Sequence, residues 1–207
     1  MAGGRVPIQA ILIWTALVVA IAVPIVIAAT SPLLAWRQPV YIAAGLAGVT
    51  AMALVLIQPL LAGGYLPGLP AQRGRRVHRA VGIALVMVVA SHVAGLWVTS
   101  PPDVIDALLF TSPTPFSPFG VVAMWAVFGA ALLAALRKPL RIRPRVWRLG
   151  HTAFVMLIAA CSVVHALLIE GTMGTVSKGI LCALVLAATA KVIADLRTWT
   201  LLARSKI

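Results

Sequence analysis

Six stretches of this chain are apolar for long enough to matter. They cover residues 8–29, 40–62, 77–99, 119–136, 147–169 and 176–194, and each carries few charges. A helix needs about 20 mostly apolar residues to cross a bilayer. The expected fold is therefore all-α and integral to the membrane, a six-transmembrane-helix bundle formed by one domain over residues 1–207. The fourth run is the shortest, and its helix should stand nearly upright or extend at its ends. Pro24 should kink the first helix. The first run exceeds the roughly 7–15 residues of a signal-peptide core, so it reads as a retained span.

Between the runs lie SPLLAWRQP, GGYLPGLPAQRGRR, SPPDVIDALLFTSPTPFSP, RKPLRIRPR and EGTMG. Proline and glycine mark them as turns. The third of these connections has room for a short amphipathic turn around residues 103–110.

Composition agrees with this pattern. Hydrophobic residues make up 62% of the chain and charged residues only 10%, against about 25% charged in soluble domains. Mean hydropathy is +1.06. A net charge of +13 would suit a nucleic-acid partner in a soluble protein, but here the basic residues fall where topology places them. The second-to-third connection and its flank hold Arg73, Arg75, Arg76 and Arg79. The fourth-to-fifth holds Arg137, Lys138, Arg141, Arg143, Arg145 and Arg148, and the tail Arg197, Arg204 and Lys206. The opposite connections carry only Arg37 and Lys178, with Asp103, Asp106 and Glu170. By the positive-inside rule both termini are expected in the cytoplasm, with lipid as the surrounding partner and no nucleic acid. Cys161 and Cys182 lie inside apolar runs and read as small hydrophobes. No CxxCH occurs, which argues against covalent haem attachment.

The chemistry sits in four histidines. The third run contains HRAVGIALVMVVASH, with His78 and His92 fourteen positions apart; the fifth contains HTAFVMLIAACSVVH, with His151 and His165 at the same spacing. Fourteen residues rise about 21 Å and return to within about 40° around the helix axis. Each pair therefore lies on one helix face, one member at each of two depths. Both spans are odd-numbered and run in the same direction, so His78 can oppose His151 and His92 can oppose His165. Two stacked bis-histidine sites are what two haems require. A lone membrane histidine can instead serve as a hydrogen-bond partner between helices, a metal ligand or a proton relay. The equal spacing and matched depths of all four favour the haem reading. A zinc or copper site would gather its ligands within a few ångströms.

Gly82, Gly95 and Gly150 lie close to these histidines and could admit a flat macrocycle or simply a neighbouring helix. Arg79 and Arg148, each within a helical turn of a histidine, are candidate partners for haem propionates. Trp36, Trp97 and Trp147 read as interfacial belt residues, Trp125 as a packing residue, and Lys191 as a snorkelling one.

This pattern, with the RGRRVHRAVG and VWRLGH approaches to the histidine-bearing spans, resembles the ferric reductase-like transmembrane domain. That domain is shared by ferric reductases, NADPH oxidases and the haem-bearing membrane subunit of the bacterial methionine sulfoxide reductase system. Cytochrome b of the quinol-oxidising complexes also pairs histidines, but on its second and fourth spans. The resemblance implies a b-type cytochrome with two haems, held by His78/His151 and by His92/His165. It would relay electrons from a cytoplasmic-side donor to an outer acceptor such as ferric iron or a periplasmic redox partner, across a bacterial inner (plasma) membrane. No Gly-rich dinucleotide fingerprint accompanies the spans. The expected donor is thus a separate flavin/NAD(P)H reductase or a membrane quinol, with a bound flavin or quinone left open. A non-redox carrier whose histidines bind metal or protons is the alternative from another class.

Overall fold

The computed structural model describes residues 7–196; the basic tail positions Arg197, Arg204 and Lys206 lie outside them. Helix α1 spans Ile8–Ala29, α2 Pro39–Ala62, α3 Ala71–Thr99, α4 Pro101–Leu108, α5 Ser117–Leu136, α6 Pro144–Leu168 and α7 Thr175–Asp195, with a 3₁₀ turn at Pro32–Leu34. All but α4 are long and apolar enough to cross a membrane. The chain is a multi-pass integral membrane protein. Among the described residues there is no strand.

Local chemistry sets the helix boundaries. Helices α2, α4, α5 and α6 each begin with proline in the first two positions. Proline's fixed φ suits the first turn, where no N–H partner is needed. Helix α2 runs into Gly63 and then Gly64, whose φ of 69° reverses the chain. The short amphipathic α4 occupies the third connection. The fourth run extends back to Ser117. Proline occurs inside α1 at Pro24 and also inside α2 at Pro59.

Two helical hairpins, α2–α3 and α5–α6, are the most intimate pairings, and α7 packs against both α2 and α6. Val49, Met52 and Leu56 of α2, Ala126 and Val127 of α5, Ile158 and Val163 of α6, and Leu181 and Val185 of α7 meet in the shared core. Lipid is as apolar as these side chains, so close van der Waals packing rather than escape from water holds them together. The large exposed side chains, such as Ile8 and Val98, are in place for lipid. Trp125 is 58% exposed and meets Phe128 edge-on, so it faces outward rather than packing in the core.

Helix α3 is the exception in the bundle. Only 6% of its apolar window is buried, against 33% for α2 and for α5. It packs on α2 and touches α5, but α3 and α6 are not a closely packed pair. The two histidine-bearing helices are thus not packed closely on each other.

The α2–α3 connection is tied down at two points. The Tyr65 hydroxyl donates to Asp195 Oδ2 at 2.5 Å, and Trp14 Nε1 donates to the Pro67 carbonyl at 3.3 Å. Lys191 pairs with Asp195 at 2.9 Å and lies 5.0 Å over the Tyr65 ring, so it finds a partner rather than only reaching for the interface. Desolvation, reinforced by the Asp195 carboxylate, pushes the Tyr65 phenol up to about 12. A negative charge beside Asp195 is disfavoured.

Candidate functional site

Helix α3 carries His78 and His92, and α6 carries His151 and His165. All four are half-buried. Near the start of both helices the rings of His78 and His151 approach each other, with centroids 6.5 Å apart and planes at 74°. Two imidazoles on one metal, at about 2 Å per metal–nitrogen bond and ~1 Å from nitrogen to ring centre, place their centroids roughly 6 Å apart. The observed spacing fits that bridge. At the deeper level no such ring contact joins His92 to His165 among the described residues.

Three of the four rings are oriented by a backbone carbonyl of the partner helix in their own hairpin. His78 Nδ1 is 3.3 Å from the Gln58 carbonyl, His92 Nδ1 2.7 Å from that of Ala44, and His165 Nδ1 2.8 Å from that of Phe116. A carbonyl can only accept, so each Nδ1 carries the proton and each Nε2 keeps its lone pair. This is the arrangement in which an imidazole binds a metal, and the bond raises its basicity as a ligand.

The deeper level shows why the carbonyls are reachable. Ala44 and Phe116 are each followed four residues later by glycine. A Cβ on Gly48 would lie 3.0 Å from the His92 ring, and one on Gly120 would lie 2.6 Å from the His165 ring. Glycine lets each imidazole lie flat against the helix and reach the carbonyl one turn earlier. The Phe116 carbonyl also accepts the Gly120 N–H at 3.2 Å, using both its lone pairs. These glycines sit on α2 and α5, away from the histidine runs. The sequence cue was a glycine within the helix preceding each histidine span.

The glycines nearest the histidines in sequence have another role. A Cβ on Gly95 would meet Ala44 at 2.8 Å, one on Gly150 would meet Leu133 at 3.1 Å, and one on Gly82 would meet the Gln58 amide at 3.2 Å. They serve the close approach of α2 to α3 and of α5 to α6.

His151 is held differently. It stacks on Trp147, centroids 5.3 Å apart and planes within 9°, while the Arg137 guanidinium lies 4.3 Å over the indole. Trp147, in the first turn of α6, is therefore a neighbour of the site. Among the described residues, three buried side-chain polar atoms lack a partner: His151 Nδ1, Trp147 Nε1 and Gln58 Oε1. They belong to one chain of contacts around the first histidine pair. Buried polar atoms are normally paired, so a polar group introduced there would find donors and an acceptor.

Arg79 and Arg148 are exposed beside His78 and His151. Arg79 lines an open cavity of about 360 Å³ with Gln72, Arg75 and Arg76. Among the described residues the one carboxylate ion pair is Lys191–Asp195, so no carboxylate neutralises these arginines. Cys161 is half-buried, Cys182 buried, and both are free.

The donor set narrows what could bind. No group of three or more His, Cys, Asp or Glu converges among the described residues, so a four-ligand ion such as structural zinc is poorly served. A facing pair of imidazoles, His78 and His151, and three of the four histidines with Nδ1 anchored on a carbonyl suit an iron that already has four equatorial ligands, as in haem. The residues present fit that group.

The fold and site together define a multi-pass helical membrane protein with two histidines on each of two spans, of which His78 and His151 meet. The family model described as "Ferric reductase like transmembrane component" matches residues 44–162, more than half of the chain. The chain belongs to the ferric reductase-like transmembrane family, whose members generally bind haem and whose membership suggests electron transfer across the membrane. The matched segment includes His78, His92 and His151; His165 lies three positions beyond it. No curated protein and no solved structure matches the chain.

Proposed function

We propose that this protein is a di-haem b-type membrane cytochrome that passes single electrons from a cytoplasmic-side donor to an acceptor on the far side of the membrane. His78 and His151 would hold one haem, His92 and His165 the other, and Arg79 and Arg148 would face propionates at the cytoplasmic level. Haem, when bound, supplies the one-electron redox chemistry.

The observation that carries this reading is the approach of His78 to His151 at 6.5 Å across two helices that are not themselves closely packed. The chain's own residues do the rest. The Gln58, Ala44 and Phe116 carbonyls fix the imidazole planes and tautomers. Apolar side chains of α2, α5 and α6 exclude water from the sleeve, which strengthens every charge interaction inside it. Arginines at the starts of α3 and α6 offer positive charge where electrons are expected to enter.

The positive-inside pattern supports a cytoplasmic position for the His78 level and, in a bacterium, residence in the inner membrane. The donor would be a separate flavin-bearing reductase or a quinol, and the acceptor ferric iron or a periplasmic redox partner. A largely apolar cavity of about 250 Å³ lined by Leu60, Leu66, Leu69 and Arg75 opens one turn before His78 and supports the quinol-fed version.

A reduced-minus-oxidised absorption spectrum of protein made with ample haem, with haem counted per chain, tests the proposal. The b-type bands of two haems are expected. Their absence would leave the carrier reading, in which the histidines bind metal or protons. Reduction in vesicles by quinol, or by NAD(P)H with a reductase, separates the donors.

A further inference from the structure

Four imidazoles share two tasks, holding a plane and keeping Nε2 free, yet they do not share one device. His78, His92 and His165 are each fixed by a bond from Nδ1 to a backbone carbonyl. That bond stops rotation about the second side-chain torsion, which is otherwise broad for histidine. His151 has no such bond, and its Nδ1 is buried without a partner. What touches it is Trp147, one helical turn earlier, lying parallel at 5.3 Å. At that separation nearly parallel rings are offset-stacked, a favoured arrangement. Trp147 is in turn covered by the Arg137 guanidinium at 4.3 Å, a cation–π contact that restrains the indole.

We propose that Trp147, steadied by Arg137, is a positioning residue that sets the plane of His151 by stacking, and that the crossed planes of His78 and His151 result from it. The inference rests on the haem-ligation reading above. His78 takes its plane from α2, through the Gln58 carbonyl. His151 takes its plane from its own helix, through an indole one turn away. Two independent restraints have no reason to agree, and the rings stand at 74°. Because Trp147 Nε1 is itself unpartnered, the indole acts here through its face and not through its N–H. Phenylalanine should therefore replace it.

If His78 and His151 hold a haem, their crossed planes would have a spectroscopic consequence: each imidazole would donate into a different iron d orbital, leaving the two orbitals nearly equal in energy. A ferric low-spin centre of that kind gives a strongly anisotropic electron paramagnetic resonance signal with a feature at low field. Parallel planes give a narrower rhombic one. The orientation of the axial ligand is one of the levers a protein holds over haem.

The test compares the oxidised, haem-loaded full chain with Trp147→Ala, Trp147→Phe and Arg137→Gln, counting haem per chain in each. The wild type should show the low-field feature and Trp147→Phe should keep it. Trp147→Ala should lose it, either by shifting to a rhombic signal or by losing the haem at that level. Arg137→Gln, the milder change, should broaden the feature without removing haem. A low-field feature unchanged in both Trp147→Ala and Arg137→Gln at full haem content would overturn the proposal. So would its loss in Trp147→Phe as complete as in Trp147→Ala. A wild type with two haems and no low-field feature would overturn it while leaving the di-haem reading intact. A wild type without haem would remove both.

Discussion

Gly120 lies directly beneath the imidazole of His165, so close that a Cβ there would sit 2.6 Å from two ring atoms. Gly48 stands in the same relation to His92 at 3.0 Å. In both cases the imidazole reaches over the glycine to the carbonyl four residues earlier. The two hairpins thus solve one problem in one way.

The first prediction follows from those contacts. Gly120→Ala should push His165 off the Phe116 carbonyl and lower haem content, roughly halving it if the second-level site is lost, since losing such an anchor typically weakens metal affinity 10–100-fold. Gly48→Ala meets a looser contact and should weaken the same site less. Gly129→Ala, whose Cβ would press on Phe154 rather than on a histidine, is the packing control. Haem per chain, measured on protein purified in detergent, orders the three.

Charge at the first level gives a second prediction. Arg79→Gln or Arg148→Gln removes a positive charge close to His78 or His151, which favours the ferric over the ferrous state. The midpoint potential of one haem should fall by on the order of tens of millivolts, the work of one partly screened charge at about 10 Å. The other haem, some 21 Å away along the helix, should barely move. A redox titration followed optically separates the two; equal shifts in both would refute the assignment of these arginines to one level.

Tyr65 supplies a pH dependence. Its phenol is held up at about 12, against an ordinary value of 10. The folded value is above the unfolded one, so the contribution is fully present below about pH 10 and is lost as pH rises through about 12. Thermal unfolding in detergent should show stability falling across that window. In Tyr65→Phe the ring under Lys191 remains but the Asp195 bond does not, and this part of the pH dependence should vanish with a modest loss of stability. A wild-type pH profile in Tyr65→Phe would show that the tether between the α2–α3 connection and α7 is not energetically coupled to folding.

Much of this was legible in one dimension. Long apolar runs report membrane spans because lipid cannot satisfy backbone polar groups and so demands complete helices. The equal fourteen-residue spacing of the histidines reports a common face because fourteen residues nearly complete four turns. What stayed hidden was whatever belongs to a second helix. The acceptors of Ala44, Gln58 and Phe116 are backbone carbonyls, which every residue type offers alike. The glycines that matter, Gly48 and Gly120, lie 44 and 45 positions before their histidines, whereas Gly82, Gly95 and Gly150, which the sequence placed beside the histidines, pack one helix on another. Trp147 looked like an interfacial residue because it sits at a span boundary, and only the ring geometry shows it stacked on His151. Tyr65 and Asp195 are 130 positions apart, joined only by the fold.

The central claim is that the four histidines form two pairs, each drawn from both α3 and α6. Haem stoichiometry in His92→Ala, His165→Ala and the double variant tests it most directly, with His78→Ala as the partner measurement. Each single change at the second level should remove one haem and leave the other, the double should remove no more than either single, and adding His78→Ala should abolish the remaining haem. Equal loss of both haems in each single variant, with the protein still folded, would contradict the account.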